Sequence, residues 1–311
     1  MPSGWVLAGF SDELPGEVAD VVIDGRPVLL VRASGRLRAF EGTCPHRGAR
    51  LGRGGVLAGE GEGVVCPFHG HRIRLGRAPD AGADDLCVAE MPALEVGELV
   101  FVHSGPGTPD CGFAKAIVAL KNTHAFVHGF SMPLPAPPAL VVENAFDTAH
   151  FGPVHGVPHA SALTVEPFDA AAGKPFTARG RFRVGASPWD AVAAGTPLDL
   201  PYEARAYAPG LILSALLSDN PYRFLVGAVA DGDGGSVARV VLMLPRPAGG
   251  GLPEMSKVEY LLAAMESQLA ADREIWAHLP ANPPRRLQPG EEAVSAFLAF
   301  CAHFQPDREA R

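Results

Sequence analysis

The sequence predicts an α+β protein with two domains, an all-β domain over residues 1–113 and, over residues 114–311, an antiparallel β-sheet flanked by helices. Short β-like runs separated by turn signals occupy the first domain. Longer β-like runs follow in the second domain, and a long helical pattern begins near Ser256. A Gly- and Pro-rich stretch at 104–109 is typical of a linker between the two.

Five runs predict the strands of the first domain: Val18–Ile23, Arg26–Arg32, Leu37–Phe40, Gly63–Cys66 and Leu99–His103. Asp24-Gly25 and Ser34-Gly35 lie between neighbouring runs and are typical of β-hairpin turns. The region therefore predicts a small antiparallel domain.

The composition excludes several classes of partner. A net charge of −8 over 311 residues gives no electrostatic reason to expect nucleic acid or anionic lipid. No apolar run approaches the ~18 residues of a membrane span, and the first residues lack a signal-peptide pattern, so we expect a soluble, cytoplasmic protein. The 5 cysteines of such a chain indicate metal binding or chance, and no disulfide framework.

Two loops of the first domain carry paired metal ligands. Cys44 and His46 form one Cys-x-His pair, and Cys66 and His69 form a Cys-x-x-His pair. Two thiolates and two imidazoles can bind zinc or an iron–sulfur cluster. Zinc fingers usually pair Cys with Cys and His with His along the chain, whereas each loop here supplies one of each. That order favours a Rieske [2Fe–2S] centre, in which two Cys hold one iron and two His hold the other.

The segment Glu143–His155 contains a second group of candidate ligands. Read as a helix, it places its first residue, Asp147 and His150 on one face. Gly152–Pro153 is expected to end that helix, with His155 following in irregular backbone. Two histidines and a carboxylate suit one metal ion with open coordination positions, as in non-haem Fe(II) oxygenases. The alternative is a polar helix end with two unrelated histidines.

Further β-like runs follow this segment and predict an antiparallel sheet: Phe176–Val184, Tyr202–Tyr207, Leu211–Leu217, Arg223–Ala230 and Ala238–Leu244. Such a sheet can form the wall of a substrate pocket. The large side chains that are candidates for its lining are Phe146, Phe151, Trp189, Tyr207, Leu213 and Phe224. For each of them, burial in the core is the simpler expectation.

A long helix is predicted from Ser256, which matches a capping box with Glu259. Its apolar face is formed by Val258, Leu261, Leu262, Met265, Leu269, Trp276 and Leu279. Asp272 falls on this face, where a carboxylate is costly unless it is paired or binds metal. Asp272 is therefore the predicted third ligand beside His150 and His155. The alternative is that the helix phase drifts and Asp272 pairs with an arginine.

With these motifs the chain resembles the Rieske non-haem iron oxygenases over nearly its whole length. Cys-Pro-His-Arg-Gly at 44–48 and Cys-Pro-Phe-His-Gly at 66–70 are close to the family pattern, with His71 where an aromatic residue is common. Ala49 and Phe68 stand where respiratory Rieske proteins have an additional cysteine, so the resemblance is to the oxygenase or ferredoxin type.

The resemblance implies roles for residues at both sites. The residues that match the family's catalytic motif Asn-x-x-Asp-x-x-His-x4-His are Asn144, Asp147, His150 and His155. By resemblance, the ligands of a mononuclear Fe(II) are His150, His155 and Asp272, with Asn144 beside them. The ligands of a [2Fe–2S] cluster are Cys44, His46, Cys66 and His69. Asp147 resembles the carboxylate that bridges an iron-site histidine to a cluster histidine of a neighbouring subunit.

The resemblance also implies a function. The chain would be a terminal oxygenase component that uses O2 and electrons from a separate NAD(P)H-dependent reductase, a ferredoxin, or both. It would oxidise, in the first place mono-oxygenate, a small or polycyclic, largely apolar molecule. Residues 272–304 resemble the single-subunit-type monooxygenases, including steroid hydroxylases and the sterol desaturase group, and a homotrimer is implied. The alternatives are an O- or N-demethylase or N-oxygenase of a biosynthetic pathway, and an electron-transfer Rieske protein without oxygenase activity.

Overall fold

The computed structural model describes residues 4–14, 16–76, 85–105, 107–247, 251, 253–280 and 285–305. Contacts between Cα atoms divide the chain into a unit Trp5–Ser104 and a second unit that runs from Gly105 onward and includes Gly4. The predicted domain boundary at residue 113 stays a prediction, and Pro106 of the predicted linker lies outside the described residues. No helix in the described part of the chain is long and apolar enough to cross a membrane.

The first unit is built from short strands. They are β1 (Gly4–Phe10), β2 (Val18–Ile23), β3 (Arg26–Ala33), β4 (Arg36–Glu41), β5 (Val56–Ala58), β6 (Gly63–Val65), β7 (Arg72–Leu75), β8 (Cys87–Val88), β9 (Glu90–Met91), β10 (Ala93–Val96) and β11 (Leu99–Ser104). They form three sheets, with the strand orders β1-β11-β10, β2-β3-β4-β9 and β5-β6-β7-β8. The expected antiparallel pairing is observed in the hairpins β2–β3, β3–β4 and β6–β7, whereas β7 and β8 pair in parallel.

The core of the first unit reaches the two cysteine-containing loops. Cys44 and Cys66 belong to the same buried cluster as Leu29, Phe40 and Ile73. The loops therefore start from a fixed apolar base, and their conformation does not depend on the exposed side chains at their tips.

The second unit is an eight-stranded sheet with helices. Its strands are β12 (His124–Leu134), β13 (His159–Ala160), β14 (Thr164–Val165), β15 (Phe176–Gly185), β16 (Pro197–Ala208), β17 (Leu211–Leu216), β18 (Tyr222–Ala230) and β19 (Ser236–Pro245). The helices are α1 (Phe113–Thr123), α2 (Pro138–Glu143), α3 (Phe151–His155), α4 (Met255–Trp276) and α5 (Glu292–Ala302). The strand order is β12-β19-β18-β17-β16-β15-β13, with β14 beside β15, and neighbours are antiparallel. The predicted α+β class is confirmed.

The helix predicted over Glu143–Phe151 is wrong. The helix α2 already ends at Glu143, and the Asp147 carboxylate accepts the N–H of Ala149 at 3.0 Å. This side-chain bond offers the backbone an alternative to the helix. Gly152–Pro153 also does not end a helix. It lies in the first turn of α3, where the missing N–H of proline removes no helical hydrogen bond.

Two details predicted for α4 are wrong as well. The residue before the first helical residue is Glu254 in extended backbone, and the Ser256 hydroxyl donates to its carboxylate at 2.5 Å. Ser256 is therefore inside the helix and forms no capping box. Leu279 lies beyond the last helical residue, Trp276, and is 41% exposed because the helical phase no longer directs it to the core.

A group of phenylalanine rings connects α5 to the sheet and to the segment after α2. The Phe297 ring is fully buried, stacks on Phe146 with centroids 5.0 Å apart, and lies 5.9 Å from Phe176. Rings at these distances contribute dispersion and electrostatic attraction beyond their burial. The backbone that precedes Asp147 is thus fixed by packing.

Replacing Phe297 by alanine is expected to lower the free energy of unfolding by about 3–5 kcal/mol, because it leaves a cavity between two buried rings. Urea unfolding followed by circular dichroism measures the loss. Ile275→Ala is the control, since this side chain of α4 is 53% exposed and its removal should cost less than about 0.5 kcal/mol. Similar losses in both variants would contradict the role given to the ring group.

Candidate functional site

The two cysteine-containing loops have the same backbone hydrogen bonds. In each, the cysteine N–H donates to the carbonyl five residues on, at 2.8 Å for both Cys44 and Cys66. The glycine four residues after each cysteine, Gly48 or Gly70, donates its N–H back to the cysteine carbonyl at 2.9 and 3.0 Å. These glycines have φ of +77° and +71°, a region that other residues rarely adopt. The loops therefore present their cysteine and histidine side chains from matching backbone turns.

The side chains of these loops divide into buried sulfurs and exposed imidazoles. Cys44 and Cys66 are 3% and 1% exposed, whereas His46 and His69 are exposed with ring centroids 4.8 Å apart. Burial favours the neutral thiol of Cys66, but the N–H of Phe68 and the Cys44 thiol outweigh it and lower its pKa. Two inner sulfurs and two outer imidazoles fit a [2Fe–2S] group with one iron bound by each pair.

A buried carboxylate that the sequence analysis missed fixes the chain after the first loop. Asp20 in β2 has 6% of its side chain exposed and pairs with Arg50, and also with Arg53 at 3.1 Å. Breaking such a pair from one side leaves an uncompensated charge. Only the fold reveals this contact, because Asp20 lies far from Arg50 in the sequence.

The second predicted ligand group comes together in the structure. The Nε2 atoms of His150 and His155 are 3.1 Å apart, and Asp272 Oδ1 lies 3.8 and 3.2 Å from them. Asp272 is 8% exposed on α4, as predicted. Its ion-pair partners among the described residues are the two imidazoles, so the arginine alternative does not hold.

This arrangement fits a divalent metal ion. Ligand atoms of His150, His155 and Asp272 all lie within 4.8 Å of one another, and both Nε2 atoms point to the same carboxylate. The Nδ1 atoms of His150 and His155 are both buried without a hydrogen-bond partner in the described part of the chain. Two imidazole nitrogens and one carboxylate oxygen are a ligand set of non-haem Fe(II), which leaves positions for other ligands.

Two further motif residues lie beside this group. Asp147 Oδ2 is 3.5 Å from His150 Nδ1. Burial opposes the charge of Asp147, but His150 and the N–H of Ala149 outweigh it and lower the pKa of the Asp147 carboxyl. A carboxylate at Nδ1 orients the ring and leaves Nε2 for a metal. The fourth motif residue, Asn144, lines the adjacent cavity.

A cavity of about 310 Å³ lies next to His150, His155 and Asp272, between α4 and the sheet. Aromatic rings form part of its wall: the Phe151 ring is tilted against the Phe182 ring with centroids 4.7 Å apart, and Phe182 stacks on Tyr202 with centroids 4.2 Å apart. The Tyr202 hydroxyl donates to the carbonyl of Ala145 at 3.0 Å, and burial raises its pKa. This bond ties the sheet to the segment that carries the histidines.

The predicted lining residues divide between the cavity and the core. Three of them line the cavity: Phe151, Trp189 and Phe224. The other three are buried elsewhere in the unit: Phe146, Tyr207 and Leu213. Sequence analysis missed Phe182 and Tyr202 as cavity residues, since strand register, which sets their position, is not local information.

Comparison with known proteins agrees with the first site. Residues 4–82 match the family described as the Rieske [2Fe–2S] domain. Aminopyrrolnitrin oxygenase PrnD of Pseudomonas fluorescens is 28% identical over 54% of this chain and 50% of its own length. The carnitine monooxygenase oxygenase subunit of Escherichia coli (strain K12) is 27% identical over 49% of this chain and 46% of its own. The chain therefore contains a Rieske [2Fe–2S] domain and is similar to these two oxygenases over about half of its length.

The matched part of the chain spans about half the length of these curated relatives. Among solved structures, dicamba monooxygenase bound to 3,6-dichlorosalicylic acid matches with a TM-score of 0.70 and 20% identity, over 99% of this chain and 98% of that chain. The oxygenase of a carbazole 1,9a-dioxygenase, solved with its ferredoxin, matches with a TM-score of 0.67 and 15% identity, over 98% and 90% of the two chains. At these identities the likeness shows a shared fold.

Asp272→Ala is expected to weaken metal binding at the second group by about tenfold or more, because one of three ligand atoms is lost. Anaerobic Co(II) titration of protein that retains its cluster measures the affinity by absorbance. Glu274→Ala removes an exposed acid from the same helix and should leave the affinity unchanged. Full Co(II) affinity in the Asp272 variant would place the third ligand elsewhere.

Proposed function

We propose that the chain is a terminal oxygenase component that mono-oxygenates a small or polycyclic, largely apolar molecule. One observation carries the proposal: the side chains of His150, His155 and Asp272 converge at the wall of a mainly apolar cavity, in a chain with a Rieske domain. A protein that only transfers electrons needs neither a buried carboxylate among imidazoles nor a cavity beside them.

In this proposal each metal centre has its own residues. The ligands of the [2Fe–2S] cluster are Cys44, His46, Cys66 and His69, and those of the mononuclear iron are His150, His155 and Asp272. When bound, the cluster would supply electrons and the iron would supply the site of O2 activation. The chain itself would position the substrate against Phe151 and Tyr202, and these aromatic rings would exclude water.

Asp147 and Asn144 would act beside the iron ligands. Asp147 would hold His150 in the tautomer with its proton on Nδ1. Its side chain is 28% exposed, so part of the carboxylate is accessible to another molecule. This supports the proposal that Asp147 bridges to a cluster histidine of a neighbouring copy in a homotrimer. Asn144 would form the cavity wall next to His150.

The partners follow from the proposed chemistry. Electrons would come from a ferredoxin, a separate NAD(P)H-dependent reductase, or both. The ferredoxin is supported by the similar structure of a carbazole 1,9a-dioxygenase oxygenase, which was solved in complex with its ferredoxin. The single-subunit-type group and the cytoplasmic location predicted from the sequence stay predictions. The relatives' names, an aminopyrrolnitrin oxygenase and a carnitine monooxygenase subunit, differ in substrate. Demethylation and N-oxidation therefore remain alternative outcomes at the same site.

Metal analysis of anaerobically purified protein tests the proposal. We expect about three iron atoms and about two acid-labile sulfides per chain, and a Rieske-type EPR signal after reduction. About two irons with the same signal, unchanged after Fe(II) is added, would contradict the oxygenase proposal and favour electron transfer.

Asp147→Asn is expected to leave iron and sulfide contents unchanged but nearly abolish coupled turnover. The amide oxygen can still accept the N–H of His150, but it lacks the negative charge of the proposed bridge. Product formation with a surrogate reductase is compared with that of Asp169→Asn, a change at an exposed acid before a 3-10 turn. Normal turnover of the Asp147 variant would refute the bridging role.

A further inference from the structure

The cavity extends along α4 well beyond the metal-binding group. One face of this helix contributes lining residues at a spacing of three and four, from Lys257 through Leu261, Met265 and Leu269 to Asp272. At a rise of about 1.5 Å per residue, Lys257 and Asp272 are separated by about 22 Å of helix. The cavity therefore has two ends with different chemistry.

The acidic groups at the end near Lys257 already have hydrogen-bond donors. Asp190 Oδ2 accepts the N–H and the hydroxyl of Ser187 at 2.6 and 2.8 Å. Glu254 accepts the indole N–H of Trp189 at 2.9 Å and the hydroxyl of Ser256. Neither carboxylate needs a ligand to satisfy it.

The ammonium group of Lys257 is in a different position. Lys257 is half-buried at the cavity wall, and its side chain forms no hydrogen bond or ion pair within the described part of the chain. Burial lowers its pKa, although the charges of Asp190 and Glu254 oppose this. Helix stability does not explain the residue, because a cation in the first turn of a helix is unfavourable.

We propose that Lys257 binds an acid group of the substrate, a carboxylate, at the end of the cavity remote from His150, His155 and Asp272. The substrate class is then an elongated, apolar molecule with an acid at one end and the oxidised position toward the other. The identification of the oxidised end rests on the proposed function, whereas acid binding by Lys257 does not.

The wall between the two ends suits the apolar body of such a molecule. Side chains from β17, β18 and α4 line it, among them Leu216, Phe224, Leu261 and Met265. Contact with these groups removes apolar surface from water and favours a ligand that spans the cavity. The ammonium donates hydrogen bonds in three directions, and a carboxylate is the acceptor that pairs with it most strongly.

Binding of three ten-carbon probes that differ only in their head group tests the proposal. Isothermal titration calorimetry compares decanoate, decan-1-ol and decylamine on the full chain with its cluster and with iron restored. The wild-type protein is expected to bind decanoate about fivefold more tightly than decan-1-ol, as is typical of a partly exposed charge pair. Lys257→Met should abolish this preference by weakening the binding of decanoate without weakening that of decan-1-ol, and Lys257→Arg should retain it.

Lys115→Met is the matched control, since it removes an exposed lysine of α1 outside the cavity lining. It should bind all three probes as the wild type does. Equal loss of decanoate and decan-1-ol in Lys257→Met would mean a purely structural role and overturn the proposal. Tighter binding of decylamine than of decanoate would also overturn the proposal, because the cavity would then select a cationic head group, with Asp190 as its partner.

The outcomes of the probe-binding experiment are independent of the metal analysis that tests the proposed function. If decanoate binds through Lys257 but the chain holds only the cluster iron, the oxygenase proposal fails and acid binding stands. If the iron content is complete but the decanoate preference is absent or survives in Lys257→Met, acid binding fails and the oxygenase proposal stands.

Discussion

The second unit depends on one buried carboxylate. Asp272 lies on the face of α4 that packs against the rest of the unit, where a charge is costly unless it is compensated. Its partners among the described residues are the Nε2 atoms of His150 and His155, at 3.8 and 3.2 Å, and a metal ion held by the three side chains would compensate the charge. Because both histidines belong to α3 or directly precede it, the position of α4 and the conformation of the histidine-bearing segment determine each other.

That segment has little regular structure of its own, so its neighbours must hold it. Tyr202 of β16 donates to the carbonyl of Ala145, and the next residue, Phe146, is buried against Phe297 of α5. The sheet and α5 therefore fix the backbone that leads to Asp147 from two sides. A ligand group held in this way has its geometry set before a metal binds, which is what precise coordination requires.

Sequence reasoning succeeded where the information is local. Five of the eleven strands of the first unit (β2, β3, β4, β6 and β11) follow from short sequence patterns, and the burial of Asp272 followed from the phase of one helix. The other six strands of this unit, β1, β5 and β7 to β10, were not predicted. The prediction of helix over 143–151 was wrong, because the side chain of Asp147 accepts a backbone N–H and so offers the backbone an alternative to the helix. Asp20 and Tyr202 were missed because their partners come from elements far away in the sequence, and only strand register and packing bring them together.

The phase of α4 also has a consequence for selectivity. The helix that directs Asp272 to the histidines places Lys257 at the far end of the same cavity, so one rigid element fixes both the charge at each end and their separation. A neutral ligand that filled the cavity would displace water from the Lys257 ammonium without replacing its hydrogen bonds. A ligand with a carboxylate would replace those hydrogen bonds, so the desolvation cost would stay uncompensated only for a ligand without an acid. Discrimination would then come from penalising molecules without an acid as much as from attracting those that carry one.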